Sequence, residues 1–81
     1  MKEFTLEIRT PEKSLFFDRI LSLNVNSLDG KIGILPQHAP LSAVLSAGDV
    51  IYKLESGEEK RNNIKSGFLI VKNNAAYVLV D

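Results

Sequence analysis

The sequence predicts an all-β domain: a β-sandwich of two roughly five-stranded sheets, with no C-terminal helices. Three observations predict it. The dominant hydrophobic period is two, which is the period of a half-buried strand. Segments with that period recur at intervals of roughly ten residues, and turn-forming residues punctuate them. The length of 81 residues allows one domain, residues 1–81, with a single core.

Phe4, Leu6 and Ile8 alternate with Thr5, Glu7 and Arg9 and predict the first strand. Thr10-Pro11-Glu12-Lys13 ends it, because proline cannot donate to a ladder. Residues 14–18 read as a short second strand or an edge. Leu21, Leu23 and Val25 alternate with Ser22, Asn24 and Asn26 and read as a separate strand. Ser27-Leu28-Asp29-Gly30 is a turn, with Asp-Gly its strongest element. An apolar extended run, residues 31–35, follows, and then a proline-bounded loop, residues 36–40.

Leu41–Leu45 is the one stretch that hints at helix, and it is too short to count as more than a turn. Val50, Tyr52 and Leu54 mark the next strand. The charged residues 59–62 suit a solvent-facing edge, where charge discourages association. Residues 68–72 and 76–80, joined through Asn73-Asn74, are apolar at both odd and even positions. That pattern predicts two strands inside the sandwich, covered on both faces. Gly30, Gly57 and Gly67 are expected to supply positive φ in turns. Gly33, inside an apolar run, marks a bulge or a close approach by another backbone.

Composition excludes several kinds of chemistry. The chain has no cysteine, so it has no disulfide framework, thiolate metal site or cysteine nucleophile. With one histidine, a zinc site would need carboxylates for nearly all its ligands, and no metal site is expected. Lys plus Arg and Asp plus Glu each total 10, giving zero formal net charge. This is not the basic footprint of a nucleic-acid binder. No apolar run approaches the ~20 residues needed to span a bilayer as a helix. The first residues alternate polar and apolar, unlike a signal peptide.

Catalytic equipment is not evident either. His38 has Ser42 and Ser46 near it in sequence, but neither sits in a nucleophile elbow, and no carboxylate pair stands out. Gly30 and Gly33 belong to no phosphate-cradling motif, so no nucleotide or other cofactor is expected. The densest special chemistry is the run Asp29-Gly30-Lys31-Ile32-Gly33-Ile34-Leu35-Pro36-Gln37-His38-Ala39-Pro40-Leu41. Its prolines lower the entropy lost when a loop docks, which suits a rigid recognition edge. The same prolines also suit a chain that is merely turning between two sheets.

That run resembles the signature of the epsilon subunit of bacterial F-type ATP synthases (delta in mitochondria), with Asp29-Gly30, Ile32-Gly33-Ile34-Leu35-Pro36 and His38-Ala39-Pro40-Leu41 matching. The opening Leu6-Glu7-Ile8, Thr10-Pro11-Glu12, the middle Gly48-Asp49-Val50 and the closing Ser66-Gly67-Phe68-Leu69 and Val78-Leu79-Val80-Asp81 resemble the family collinearly. The resemblance implies a non-catalytic rotor subunit in the central stalk, on the cytoplasmic face of the membrane. It would stand between the gamma subunit and the ring of c subunits and pass ion-driven rotation to the catalytic sites. It assigns c-ring contact to Asp29, Gly30, Lys31 and Ile32, and gamma contact to Thr10, His38, Ala39, Pro40, Leu41 and Ala43.

Gln37 departs from the glycine usual in this loop. Longer members continue into two helices that restrain hydrolysis and in some cases bind ATP. These 81 residues contain neither helix, so neither activity is carried over. An adhesive role further predicts an exposed apolar patch near Ile32, Ile34, Pro40 and Leu41. The competing readings are a free-standing β-sandwich that binds a small molecule or sugar in an aromatic-lined pocket, and a small hydrolase.

Overall fold

The computed structural model describes residues 2–81; Met1 lies outside the described residues. Every regular element among them is a strand: β1 (Phe4–Arg9), β2 (Ser14–Ser27), β3 (Gly30–Ile34), β4 (Leu41–Leu45), β5 (Gly48–Leu54), β6 (Glu59–Ile64), β7 (Gly67–Lys72) and β8 (Ala75–Val80). Hydrogen bonding runs in the order β1-β8-β7-β4-β2-β5-β6, with β3 flanking β2 and β1 returning to β2. One layer of the sandwich is therefore β2-β1-β8-β7-β4 and the other β3-β2-β5-β6.

The long strand β2 belongs to both layers, which corrects the expectation of two separate strands there. Its first half pairs with β1, from Phe4↔Ile20 to Arg9↔Ser14. Its second half pairs with β3 and β5. Between them the register with β5 steps from Ile20↔Leu54 to Ser22↔Lys53, leaving Leu21 as an extra residue. Such a bulge bends the strand and reverses which parity faces inward. Hence Ile20 is buried in the first half, Leu23 and Val25 are buried in the second, and Leu21 is only half-buried. The sequence reading assigned Leu21 to the inward set, because alternation counted backward from Leu23 ignores the inserted residue.

Leu41–Leu45 is also a strand, not a turn. It pairs with β7 in unbroken antiparallel register from Leu41↔Val71 to Leu45↔Gly67. Leu41, Ala43 and Leu45 face the core side, while Ser42 and Val44 face out. A five-residue segment with small residues has weak intrinsic preference, and the ladder offered by β7 decides its conformation.

The core is one cluster. Phe4, Leu6 and Ile8 of β1, Leu69 and Val71 of β7, and Ala76 and Val78 of β8 pack toward Leu23, Val25, Ile34, Leu45, Val50 and Tyr52. Phe16 leans on Tyr52 with ring centroids 4.7 Å apart, within the range of favourable aromatic pairs. The β7–β8 hairpin closes through Asn73 and Asn74, at φ 52° and 57°. Positive φ at both central residues is the pattern of a type I′ turn, whose twist matches the strands it joins.

Gly67 has no positive φ, contrary to expectation. Its constraint is proximity: a Cβ there would lie 2.6 Å from the Leu79 carbonyl oxygen of β8. Gly33 sits in regular β3–β2 register without a bulge, and the group closest to it is the Asn24 side chain.

Candidate functional site: two unlike outer faces

Strand alternation settles what each layer shows to solvent. On the β2-β1-β8-β7-β4 layer, cross-strand register aligns Val44, Phe68, Leu79 and Arg9 in one row. The next row aligns Ser42, Ile70, Tyr77, Glu7 and Phe17. Val44 is 49% exposed, Phe68 38% and Leu79 39%. Arg9 and Glu7 of these two rows pair with each other at 3.2 Å, and the row after them carries Lys72 and Arg19, of which Arg19 pairs with Glu3 at 3.1 Å. The opposite outer face is polar. Asn24 and Asn26 of β2, Lys31 of β3, Asp49 and Lys53 of β5, and Glu59 and Arg61 of β6 lie outward there. Arg61 reaches Asp49 at 3.4 Å and Glu59 at 3.2 Å.

The apolar face ends in an open groove of about 490 Å³, lined by Arg9, Thr10, Pro11, Val44, Phe68 and Leu79 among others. Phe68 is the one aromatic ring lining it, so the groove lacks the aromatic walls of the ligand-pocket reading. Leu28, 69% exposed, adjoins the same end, because its N–H donates to the Val44 carbonyl at 3.1 Å.

The Asp29 turn is built from inside. Ser27, the one buried polar residue of the core face, donates its hydroxyl to the Gly30 carbonyl at 2.7 Å and accepts the Asp29 N–H at 3.1 Å. Gly30 takes φ 124°, a backbone region closed to most side chains. Asp29 and Gly30 are therefore held at an exposed, pinned tip. Lys31 points to the polar outer face, and Ile32 packs half-buried against the core.

Thr10 sits at the opposite side of the apolar groove from Leu28. Its hydroxyl accepts the N–H groups of Glu12 and Lys13, both at 3.2 Å, and so shapes the turn after β1. His38, Ala39 and Pro40 lie before β4, at the end of that strand away from Thr10. Five strand residues span about 17 Å, so Thr10 and His38 do not form one cluster. Leu41 and Ala43 face inward and are half-buried.

The loop before β4 is a turn closed by His38 N–H donating to the Leu35 carbonyl at 3.2 Å. Pro36 at its second position and positive φ (65°) at Gln37 fit a type II turn. Gln37 thus keeps a left-handed conformation without being glycine, at a cost of roughly 1–2 kcal/mol. The His38 Nδ1 lies 2.7 Å from the Ala39 carbonyl, which can only accept, so Nδ1 carries the proton. That partner is a backbone oxygen and not a carboxylate or hydroxyl.

The expected patch around Ile32, Ile34, Pro40 and Leu41 is not what the structure exposes. Ile34 is fully in the core, Ile32 and Leu41 pack against it, and only Pro40 is exposed. Leu35 of the same run is exposed, and so, outside it, are Leu15, Phe17, Leu28, Val44, Phe68 and Leu79; of these, Val44, Phe68, Leu79 and Leu28 adjoin one another, a grouping that sequence reasoning missed. Their signal was present in β7 and β8, apolar on both faces. The structure leaves the second face open where the sequence reading covered it.

Comparison with known proteins places this geometry. The sequence model of the ATP synthase delta/epsilon chain β-sandwich domain matches residues 3–81. The ATP synthase epsilon chain of Syntrophomonas wolfei is 38% identical over 78 residues, covering 96% of this chain and 57% of that one. That of Caldicellulosiruptor bescii is 36% identical, covering 100% of this chain and 58% of that one. The chain thus spans under two thirds of the length of these curated relatives.

A chain of the Euglena gracilis mitochondrial ATP synthase structure (OSCP/F1/c-ring) superposes with a TM-score of 0.92 at 16% identity, over 99% of this chain and 51% of that one. A chain of the Tetrahymena thermophila mitochondrial ATP synthase central stalk and c-ring gives 0.76 at 16% identity, over 94% and 61%. These two show the shared fold. The match over residues 3–81, with relatives above one third identical along nearly the whole sequence, establishes that the chain belongs to the family of ATP synthase delta/epsilon chain β-sandwich domains.

Proposed function

We propose that the chain serves as a non-catalytic coupling body in the central stalk of an F-type ATP synthase, at the cytoplasmic face of the membrane. It joins the gamma subunit to the c-ring and turns with them. The observation that carries this reading is the contrast between the two outer faces. One sheet presents Val44, Phe68, Leu79, Ile70 and Tyr77, with Arg9 and Glu7 in the same rows paired to each other, and the other presents a charged and amide-rich surface. Contiguous exposed apolar surface on a small domain marks a docking site.

The apolar face is the surface for gamma, with Thr10 at its edge and the His38-Ala39-Pro40 loop at its far end. Leu41 and Ala43 act there from behind, by holding β4 in place. The pinned Asp29-Gly30 tip, with Lys31 beside it, is the surface for the polar loops of the c-ring. Ile32 anchors that tip to the core. The task is mechanical: torque passes through a stiff, densely packed body and needs no reactive group. Gel filtration of the chain with purified gamma tests the reading. Co-elution is expected at micromolar concentration, and separate elution overturns it.

A further inference from the structure

The Asn74 side chain joins three segments that are distant in sequence. Its Oδ1 accepts the Gln37 N–H at 2.8 Å, and its Nδ2 donates to the Glu3 carbonyl at 3.0 Å. The two partners fix the amide orientation, since an N–H needs an oxygen opposite it and a carbonyl needs a donor. The Asn74 carbonyl also accepts the Thr5 N–H at 3.3 Å. The start of β1, the β7–β8 turn and the loop before β4 are thus tied at one residue.

Turn chemistry alone does not call for asparagine here. Asn73 and Asn74 both take positive φ, and glycine at the second position would serve a type I′ turn better. Gln37, at φ 65°, is likewise a side-chain-bearing residue in a left-handed position. In a type II turn the N–H of that residue is not used by the turn's own hydrogen bond, which here runs from His38 to Leu35. Asn74 Oδ1 takes up that N–H. Two positions that favour glycine are therefore occupied by residues bonded to each other.

We propose that Asn74 is a positioning residue: its side chain clamps Gln37 in the left-handed conformation and so fixes the shape that Pro36, His38, Ala39 and Pro40 present to a partner. The binding consequence rests on the reading that this loop touches gamma; the clamp itself does not. A loop already held in its bound shape gives up less freedom on docking. Gln37 thereby takes the place of a glycine without leaving the loop free to sample other shapes.

Amide exchange at Gln37, followed by NMR in the isolated chain, tests the clamp directly. Asn74→Gly keeps the hairpin, because Asn-Gly is the preferred type I′ pair, and deletes the acceptor. It is expected to speed Gln37 exchange about fivefold or more, the weight of one net hydrogen bond, with Leu69 and Val78 amides unchanged. Asn74→Asp keeps the acceptor and is expected to hold Gln37 exchange near its original rate. In titrations with purified gamma, Asn74→Gly weakens binding about fivefold, and Asn74→Asp, which keeps the acceptor, binds as the unaltered chain does. Unchanged Gln37 exchange in Asn74→Gly overturns the clamp. If gamma fails to bind the unaltered chain, the contact reading falls while the exchange comparison still decides the clamp.

Discussion

Phe68 and Leu69 are neighbours on β7 that point in opposite directions, and their alanine variants should separate stability from docking. Leu69 is 0% exposed, between Val78 and Ala43 in the register of β8 and β4. Truncating a fully buried leucine costs about 2–5 kcal/mol, depending on how far the cavity collapses. A domain of this size has stability on the order of 5–10 kcal/mol, and each kcal/mol shifts its Tm by about 4–8 °C. Leu69→Ala should therefore lower Tm by roughly 8–40 °C.

Phe68 already has 38% of its surface in water. Complete burial of such a side chain is worth about 1.5–3 kcal/mol, so Phe68→Ala should cost about 1–2 kcal/mol and shift Tm by roughly 4–15 °C, below the Leu69→Ala loss. Docking should invert the order. A central aromatic anchor typically contributes 2 kcal/mol or more, so Phe68→Ala should weaken gamma binding at least about tenfold. Leu69→Ala, still folded at 25 °C, should bind within about threefold of the unaltered chain. Thermal unfolding by circular dichroism and titration calorimetry with gamma read the two effects. Equal losses of Tm, or full gamma affinity in Phe68→Ala, would refute the assignment of inner and outer faces to these roles.

Two further outcomes follow from local geometry. Gly67→Ala places a methyl 2.6 Å from the Leu79 carbonyl; overpacking of this kind costs about 1–3 kcal/mol, visible as a lower urea midpoint at unchanged m-value. At Glu55, a hydrogen bond with the Glu3 carboxyl raises the pKa above its ordinary 4.5, with loss of solvation and the charges of Glu3 and Asp18 acting the same way and Arg19 opposing. A raised carboxyl pKa gives stability that is present at low pH and lost as pH rises through the raised value. Glu55 lies in solvent, which screens the effect, so the Tm of Glu55→Gln relative to the unaltered chain should climb only slightly as pH passes upward through 4.5. A Tm difference that stays flat from pH 4 to 7 would exclude this coupling.

Much of the fold was legible because strands announce themselves by alternation. β1 and β5 follow it residue by residue, and the charged β6 reads correctly as an edge. The bulge at Leu21 was not legible, because one inserted residue reverses parity without any change in composition. β4 was not legible because Ser42 and Ala43 carry no strand preference to support Val44, and the ladder from β7 supplies what the local sequence lacks.

The expected apolar patch was misplaced for a different reason. The run from Asp29 to Leu41 attracts attention through its glycines and prolines, and its apolar residues were taken as adhesive. Ile34 is core, Ile32 and Leu41 pack half-buried against it, and Leu35 is exposed. Phe68 and Leu79 are exposed instead, in strands that looked buried on both faces. An 81-residue chain has too little mass to cover every apolar strand twice, and the excess stays exposed.

The most direct test of the central claim is hydroxyl-radical footprinting of the chain with and without gamma. The account predicts that oxidation of Phe68 and Leu79 falls on complex formation, while Ile51, half-buried on the polar outer face, is oxidised at its original rate. Protection at Ile51 with Phe68 and Leu79 unchanged would contradict it.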